Sequence, residues 1–334
     1  MGLVSLGDLA QSFLLRRQNF ALKSDLQRLS TELTTGRVSD AAARVSGDLV
    51  PLAGINASLS RLGGYASVTM ETSVFAGVLQ TALQTIDDSA SSLASSLITA
   101  AGTAQPAQID GVAADALQKF ESAISVLNTR FGDRTLFAGV GTTGPAVASG
   151  GSILQAIESS LVGLTSGAAI EAAVSAWFDL PAGYSSSAYL GGSAPSPLGI
   201  APGETVRIDV TANDPAVRAT LKGLAMAALL DRGVLAGHPA ARQDLAKRAG
   251  LSLLESQSGR TQLSARLGRA EAQIEIASAR NSAESTALQI ARTGMLAADP
   301  YETATKLQET QTQLEMIYSI TARMTRLSLV DYLK

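Results

Sequence analysis

The feature that most constrains this chain is a stripe of aliphatic side chains at each end, spaced by three, four or seven residues. Near the start, the stripe consists of Leu15, Leu22, Leu26, Leu29 and Leu33. Near the end, it consists of Leu314, Ile317, Ile320, Met324 and Leu327. Residues at this spacing share one face of an α-helix. The sequence therefore predicts a long amphipathic helix at each end, the first running from about Leu6 to Leu33 and stopped by Gly36.

The same spacing recurs in the interior of the chain. Apolar residues follow it between Leu79 and Leu97, between Leu117 and Leu127, and between Leu263 and Leu288. In the last of these runs the stripe passes through Asn281, and a polar residue in an apolar seam can fix the register of packed helices. These interior helices can bury their stripes on one another within one chain.

The middle of the chain has a different character. Residues 141–203 contain three carboxylates, no lysine or arginine, and many glycines, serines and prolines. Residues 206–210 alternate apolar and charged side chains, which is typical of a strand. An Asn-Asp-Pro turn then leads into a helical run over residues 216–231. We predict a small, partly β insertion over residues 146–215.

These patterns predict a mainly α fold. Its body would be a long antiparallel helical bundle or coiled coil formed by the N- and C-terminal halves. We expect a terminal axial-core region from residues 1–45 with 286–334, and a helical bundle domain from residues 46–145 with 216–285. The inserted domain would be residues 146–215.

Composition excludes several classes of function. Lysine and arginine number 26 against 29 acidic residues, so no basic footprint for nucleic acid or an anionic membrane is present. The longest uncharged stretches are broken by polar residues, so we expect no membrane span. The chain has no cysteine, which excludes disulfides and thiolate metal sites. Arg16 and Arg17 follow the apolar residues 3–15 instead of preceding them, which disfavours a secretory signal peptide.

No convergent catalytic site can be assembled from the sequence. Residues Gly139–Gly144 match G-x-G-x-x-G, but Pro145 does not open a helix there, so we interpret them as a turn. His238 is the only histidine and lies in a predicted loop. Asp87–Asp88 are adjacent and diverge on a helix, which suggests a solvated face. Trp177–Phe178 are interpreted as the core of a small domain. We therefore predict no enzyme and no catalytic, cofactor-binding or metal-binding residues.

The terminal helices present a different problem. One apolar seam on each helix buries too little surface to offset the conformational entropy of ordering it. We therefore predict that the ten stripe residues named above form an assembly interface, in which each terminal helix pairs with the other and with neighbouring subunits.

Several motifs resemble the bacterial flagellin family. Residues Leu29–Arg37 (LSTELTTGR) resemble the family's L-S-x-x-L-x-T-G-[KR] stretch. Residues Asn128–Gly139 (NTRFGDRTLFAG) resemble the N-x-R-x-x-G-x-x-L-F-A-G segment that closes its first helical half. Asp299–Ala304 resembles the region leading into its last helix, and Leu327–Leu333 is closer to the hook-filament junction members than to the filament members. After Arg37, however, the chain lacks the family's usual Ser, Asp, Asp and Pro run.

The resemblance covers about residues 5–145 and 216–334 and implies a function. Such a protein would be a structural part of the flagellum, at the junction between hook and filament. It would be exported by the flagellar type III apparatus without a cleaved signal peptide and would end outside the cell. Its implied partners are further copies of itself in a ring or tube, the adjacent hook-associated protein 1 and flagellin, and an export chaperone. Filament flagellin and a non-flagellar helical scaffold protein remain open as alternatives.

Overall fold

The computed structural model describes residues 6–103, 105–141 and 143–332, and the side chains of residues 6–9, 11 and 325–332 fall outside that description. The protein is 74% helical, with two small two-stranded sheets. This confirms the predicted mainly α fold with a small β part. Among the described helices, none has a stretch long and apolar enough to cross a membrane.

The described helices follow one another along the chain in this order: α1 (Leu6–Thr35), α2 (Ala41–Arg44), α3 (Val50–Thr103), α4 (Pro106–Leu127), α5 (Gly150–Ser159), α6 (Gly167–Asp179), α7 (Tyr184–Ser187), α8 (Pro215–Asp231), α9 (Pro239–Glu255), α10 (Gln257–Leu296) and α11 (Pro300–Tyr332). The strands are β1 (Arg130–Phe131), β2 (Arg134–Thr135), β3 (Leu198–Ala201) and β4 (Glu204–Val206). Both terminal helices are present, and α1 begins and ends close to its predicted limits.

The chain divides into two compact units. Unit 1 contains the residues up to Leu62 and those from Ala283 onward, and unit 2 contains Gly63–Ser282. Unit 1 thus holds α1, α2, the first part of α3, the last part of α10, and α11. Nothing tests the three-domain division of the sequence analysis, and it stays a prediction.

Unit 2 is built around one continuous apolar core. α8 lies at its centre, since every residue from Leu224 to Leu230 is at most 1% exposed. A helix that is apolar on all sides must be surrounded, and α8 packs on α4, α6 and α9. Pro215 occupies its first turn, and the Asp214 carboxylate accepts a hydrogen bond from the Ala216 amide at 3.0 Å. The sequence therefore starts this helix where predicted.

The segment predicted as an insertion packs onto the same core. Its α6 contacts α9, and Phe178 and Tyr184 stack at 5.4 Å with both rings fully buried. The Tyr184 hydroxyl donates to the Ala212 carbonyl at 2.9 Å. Trp177 meets Phe178 edge to face at 5.0 Å, which confirms that this aromatic pair is core.

The β content of this segment is smaller than the alternating pattern indicates. β3 and β4 form an antiparallel hairpin in which Leu198 pairs with Val206. β4 ends at Val206, although Ile208 and Val210 remain buried and Arg207 exposed, so the predicted alternation holds beyond the strand.

Candidate assembly interface

The candidate site is the pair formed by the first and last helices, α1 and α11, called here the terminal pair. The two helices pack on each other within unit 1. At one end, the Ala298 amide donates to the Gly36 carbonyl at 3.0 Å. Farther along, the Lys23 ammonium lies 5.8 Å from the centroid of the Tyr318 ring. Position numbers rise along α1 as they fall along α11, so the helices run antiparallel.

The predicted stripe residues mostly line the seam inside this pair. Leu29 and Ile317 are 4% and 9% exposed. The half-buried members are Leu15, Leu22, Leu26, Leu314 and Met324. Leu33 and Ile320 are 38% and 44% exposed, and the side chain of Leu327 lies outside the described residues. Most of the stripe thus packs one helix against the other in the same chain, and its predicted contacts with neighbouring subunits stay a prediction.

The seam on α11 also contains two threonines that the sequence analysis missed. Thr303 and Thr310 are 6% and 8% exposed and continue the heptad of Ile317 and Met324 toward the start of the helix. The Thr310 hydroxyl donates to the Lys306 carbonyl at 2.7 Å, so its burial leaves no unpaired hydroxyl. A search for apolar spacing alone cannot find such positions.

A second set of apolar side chains on the terminal pair faces solvent, and the sequence analysis missed most of it. These outer residues are Phe13, Leu14, Phe20, Met316, Tyr318 and Ile320, which are 67%, 55%, 78%, 56%, 47% and 44% exposed. Phe13 and Phe20 are seven residues apart, so they share one face of α1, and that face lies opposite Leu15 and Leu22. The seven-residue spacing of Phe13 and Phe20 is the sequence signal that could have identified this face. Large exposed apolar residues grouped on one element are typical of a surface that another protein covers.

The exposed face also carries one charged contact. Hydrogen bonding from Lys23, and secondarily from Asn19, lowers the pKa of the Tyr318 phenol. Because the phenol and the ammonium are both exposed, this contact orients the ring more than it stabilises the pair.

Two short segments from opposite ends of the sequence meet at the end of the terminal pair where α1 ends and α11 begins. Arg37 and Ala297 form an isolated antiparallel bridge, and the Val38 amide donates to the Leu296 carbonyl at 2.9 Å. Gly36 ends α1 with φ +65°, a left-handed conformation that glycine adopts without strain. We call residues 36–39 together with 296–298 the clasp.

A buried carboxylate on α1 reaches the clasp. Glu32 is 6% exposed, and its Oε1 accepts from the Ser39 amide at 2.9 Å and from Arg28 Nη1 at 3.3 Å. Burial alone would raise the pKa of Glu32, but the hydrogen bonds from Ser39 and the pairing with Arg28 outweigh it and lower that pKa. The carboxylate is therefore held ionised in a nearly closed site.

The other residues weighed for chemistry have structural surroundings. Gly139 is a turn residue with φ +61°, and a Cβ there would lie 2.3 Å from the Ser193 carbonyl oxygen. His238 is exposed in the loop before α9. The interpretation of Asp87 and Asp88 as a solvated face holds for Asp88, which is exposed, but Asp87 is half-buried and pairs with Arg260, whose side chain is 7% exposed. Among the described residues, no group of three or more His, Cys, Asp or Glu side chains is arranged to hold a metal ion.

Comparison with known proteins gives one family match. Residues 255–333, which span α10 and α11, match the family described as the bacterial flagellin C-terminal helical region. No curated protein matches the chain significantly. One matching solved structure is described as a candidate flagellar hook-associated protein from Vibrio parahaemolyticus; it is 13% identical, the likeness covers 73% of this chain and 96% of that one, and the TM-score is 0.45. The family match shows that this C-terminal part of the chain is similar to the C-terminal helical region of bacterial flagellin.

Proposed function

We propose that this protein is a structural component of the bacterial flagellum that forms the junction between hook and filament, the place of hook-associated protein 3 in the flagellin family. The observation that carries the proposal is the exposure of the outer residues on the terminal pair. A pair of helices with one seam leaves these side chains in water. Further copies of the chain would cover them.

The burial of the outer residues would drive assembly. Full burial of one large apolar side chain stabilises by about 1.5–3 kcal/mol. Covering Phe13 and Phe20 against a neighbour would therefore contribute about 3–6 kcal/mol before the cost of association. Assembly would bind only chains whose terminal helices are folded and paired. By mass action it would therefore also stabilise these helices.

The remaining parts of the proposal follow from the resemblance. The chain would leave the cell through the flagellar export apparatus with the help of a chaperone and lie outside the cell, between hook-associated protein 1 and flagellin. The segment over residues 146–215 would face outward. Its single arginine, Arg207, and its lack of lysine argue against a polyanionic partner there.

Filament flagellin is the second candidate, and the two differ in location. The chain has no cysteine, so Thr165→Cys in the exposed loop before α6 introduces a single labelling site. We expect the label on intact cells at one point near the base of each filament. Label along the whole filament would favour flagellin, and label away from flagella would favour a scaffold of another kind.

A second experiment tests the outer residues. The double substitution Phe13→Ser and Phe20→Ser should abolish assembly measured by sedimentation, because the apolar face of α1 is lost. Val162→Ser is the matched control, since Val162 is 85% exposed in unit 2 and should leave assembly unchanged. Trp177 is the only tryptophan and lies in unit 2, so its fluorescence checks that unit 2 stays folded. Full assembly of the double variant would contradict the proposed interface.

The seam itself can be tested at Ile317, its most buried apolar residue among the described side chains of α11. Ile317→Asp should prevent assembly while Trp177 fluorescence stays native, because a charge in the seam separates α1 from α11. Retained assembly would be a clear failure of the proposal.

A further inference from the structure

The seven-residue spacing of the terminal pair does not by itself define one register. On α1 the seam repeats every seven residues through Leu15, Leu22 and Leu29, and on α11 it repeats every seven through Thr303, Thr310, Ile317 and Met324. A slide of α11 by one heptad therefore brings seam positions together again, although it changes whether a leucine of α1 faces a threonine or an apolar residue of α11. Such a slide moves the helix by about 10 Å along its axis. Besides the two threonines, a contact outside the seam can select one register.

The clasp has the geometry of such a device. Its hydrogen bonds join Gly36 to Ala298 and Val38 to Leu296, at 3.0 and 2.9 Å. Gly36 directly follows α1, and only Asp299 separates Ala298 from the start of α11. With so little chain between the clasp and the two helices, a shift of about 10 Å cannot occur while these bonds are intact.

Glu32 connects the clasp to the seam. Its carboxylate is buried beside Leu29, and the amide of Ser39 is a hydrogen-bond partner that lies beyond the end of α1. That amide reaches Glu32 only when residues 36–39 fold back, which is the conformation that also pairs with residues 296–298. Without the amide, the carboxylate would keep Arg28 but lose its shorter hydrogen bond at a position with little exposure to water.

We infer that the clasp selects the register of α1 against α11, and that Glu32 is the positioning residue that keeps it closed. The segment Leu29–Arg37, which resembles the flagellin family, contributes Gly36 and Arg37 to the clasp, and the second such segment, Asp299–Ala304, directly follows it. The inference rests on the proposed function in one respect: the register determines which outer residues would contact a neighbouring subunit. The register itself is a property of the single chain.

The register can be measured as a distance. Gln18→Cys on α1 and Thr305→Cys on α11 place two spin labels on exposed positions well separated along the helix axes. Labelled chains diluted in unlabelled chains report distances within one chain. In the otherwise unchanged protein we expect one distance. In Glu32→Met, which keeps side-chain length but removes the acceptor, we expect a second population displaced by about 10 Å.

Two further variants separate positioning from packing. Glu32→Gln retains an oxygen that accepts from Ser39, so it should restore the single distance. Asp25→Ala removes the other carboxylate that pairs with Arg28 but does not touch the clasp, so it should also give one distance. Trp177 fluorescence confirms in each case that unit 2 is folded.

The outcomes distinguish this inference from the proposed function. A single distance in Glu32→Met, or two distances or a structureless distribution in the unchanged protein, would overturn the role of the clasp. A single distance in an unchanged protein that never assembles would support the clasp and contradict the proposed function.

Discussion

At the scale of single residues, the two buried charged side chains among the described residues, Glu32 and Arg260, each have several hydrogen-bond partners. Arg260 illustrates this at the start of α10. Its guanidinium donates to the Asp87 carboxylate, to the Ser256 hydroxyl at 2.6 Å and to the Leu253 carbonyl at 3.1 Å. It thus satisfies backbone and side-chain acceptors where α9 ends, in addition to pairing with α3.

Replacing Arg260 should therefore destabilise unit 2 strongly. Arg260→Leu leaves the Asp87 carboxylate and the Leu253 carbonyl without this donor, and the loss in unfolding free energy should be about 3 kcal/mol. The matched control is Arg266→Leu on the same helix, where Arg266 is 45% exposed and pairs with Asp209 and Asp214. The control should lose less than about 1 kcal/mol. Urea unfolding followed by Trp177 fluorescence measures both, and equal losses would contradict the importance of burial.

We predict that the stability of the terminal pair depends on pH through Glu32. Its pKa in the folded state is lowered from the ordinary value of 4.5, so the unfolded state binds the proton more readily. The stabilisation from ionised Glu32 is therefore complete above about pH 4.5 and is lost as the pH falls through the lower, folded value. In that acid range, the hydrogen exchange of the Ser39 amide, corrected for intrinsic rates, should be accelerated in the unchanged protein relative to the Glu32→Gln variant. An identical pH dependence in both proteins would refute this role.

At the scale of helices and strands, local periodicity explains what the sequence predicts well. α1, α4, α10 and α11 are long and bury one face, so their spacing is visible without any tertiary information. α5 and α6 were not predicted because they are short and rich in glycine, serine and alanine. Their signals are the caps: Ser149 accepts from the Ser152 amide at 3.3 Å, and Ser166 from the Ala169 amide at 3.2 Å.

The candidate site was only half predictable for a similar reason. The stripe of Leu15 and Leu29 follows from spacing, and the structure places it in the seam. The clasp joins segments from opposite ends of the sequence through backbone groups, which carry no residue-specific pattern. The Ser39 amide that partners Glu32 is likewise invisible in a list of side chains.

The contact between α6 and α9 gives a prediction for one glycine. A Cβ at Gly167 would lie 2.8 Å from the Leu245 nitrogen and 3.1 Å from the Ala241 carbonyl oxygen, both of which are backbone atoms of α9. Gly167→Ala should therefore push the two helices apart and cost about 1–3 kcal/mol. Gly268→Ala in α10, where nothing lies within 4 Å of the added carbon, is the matched control. It should be neutral or stabilise by up to about 1 kcal/mol, and thermal unfolding distinguishes the two variants.

At the scale of the whole molecule, the two units differ in how they are stabilised. Unit 2 has a core in which aromatic and aliphatic side chains from α3 to α10 are fully buried. The terminal pair in unit 1 has one seam, two threonines within it, and large apolar side chains on its outer side. The same chain thus combines a unit that has a continuous buried core with a helix pair that leaves large apolar side chains exposed.

This difference should be visible in amide hydrogen exchange. In dilute monomer we expect amides of α4 and α8 to be strongly protected and those near Phe13, Phe20 and Ile320 to exchange quickly, because their helices lack covering contacts. Amides of α1 close to the clasp, around Leu29, should be intermediate. After assembly, protection should rise along both terminal helices and remain unchanged in α8. Strong protection of residues 12–33 and 305–324 in the monomer would mean that one seam is sufficient, and neighbouring copies would then not be needed to stabilise these helices.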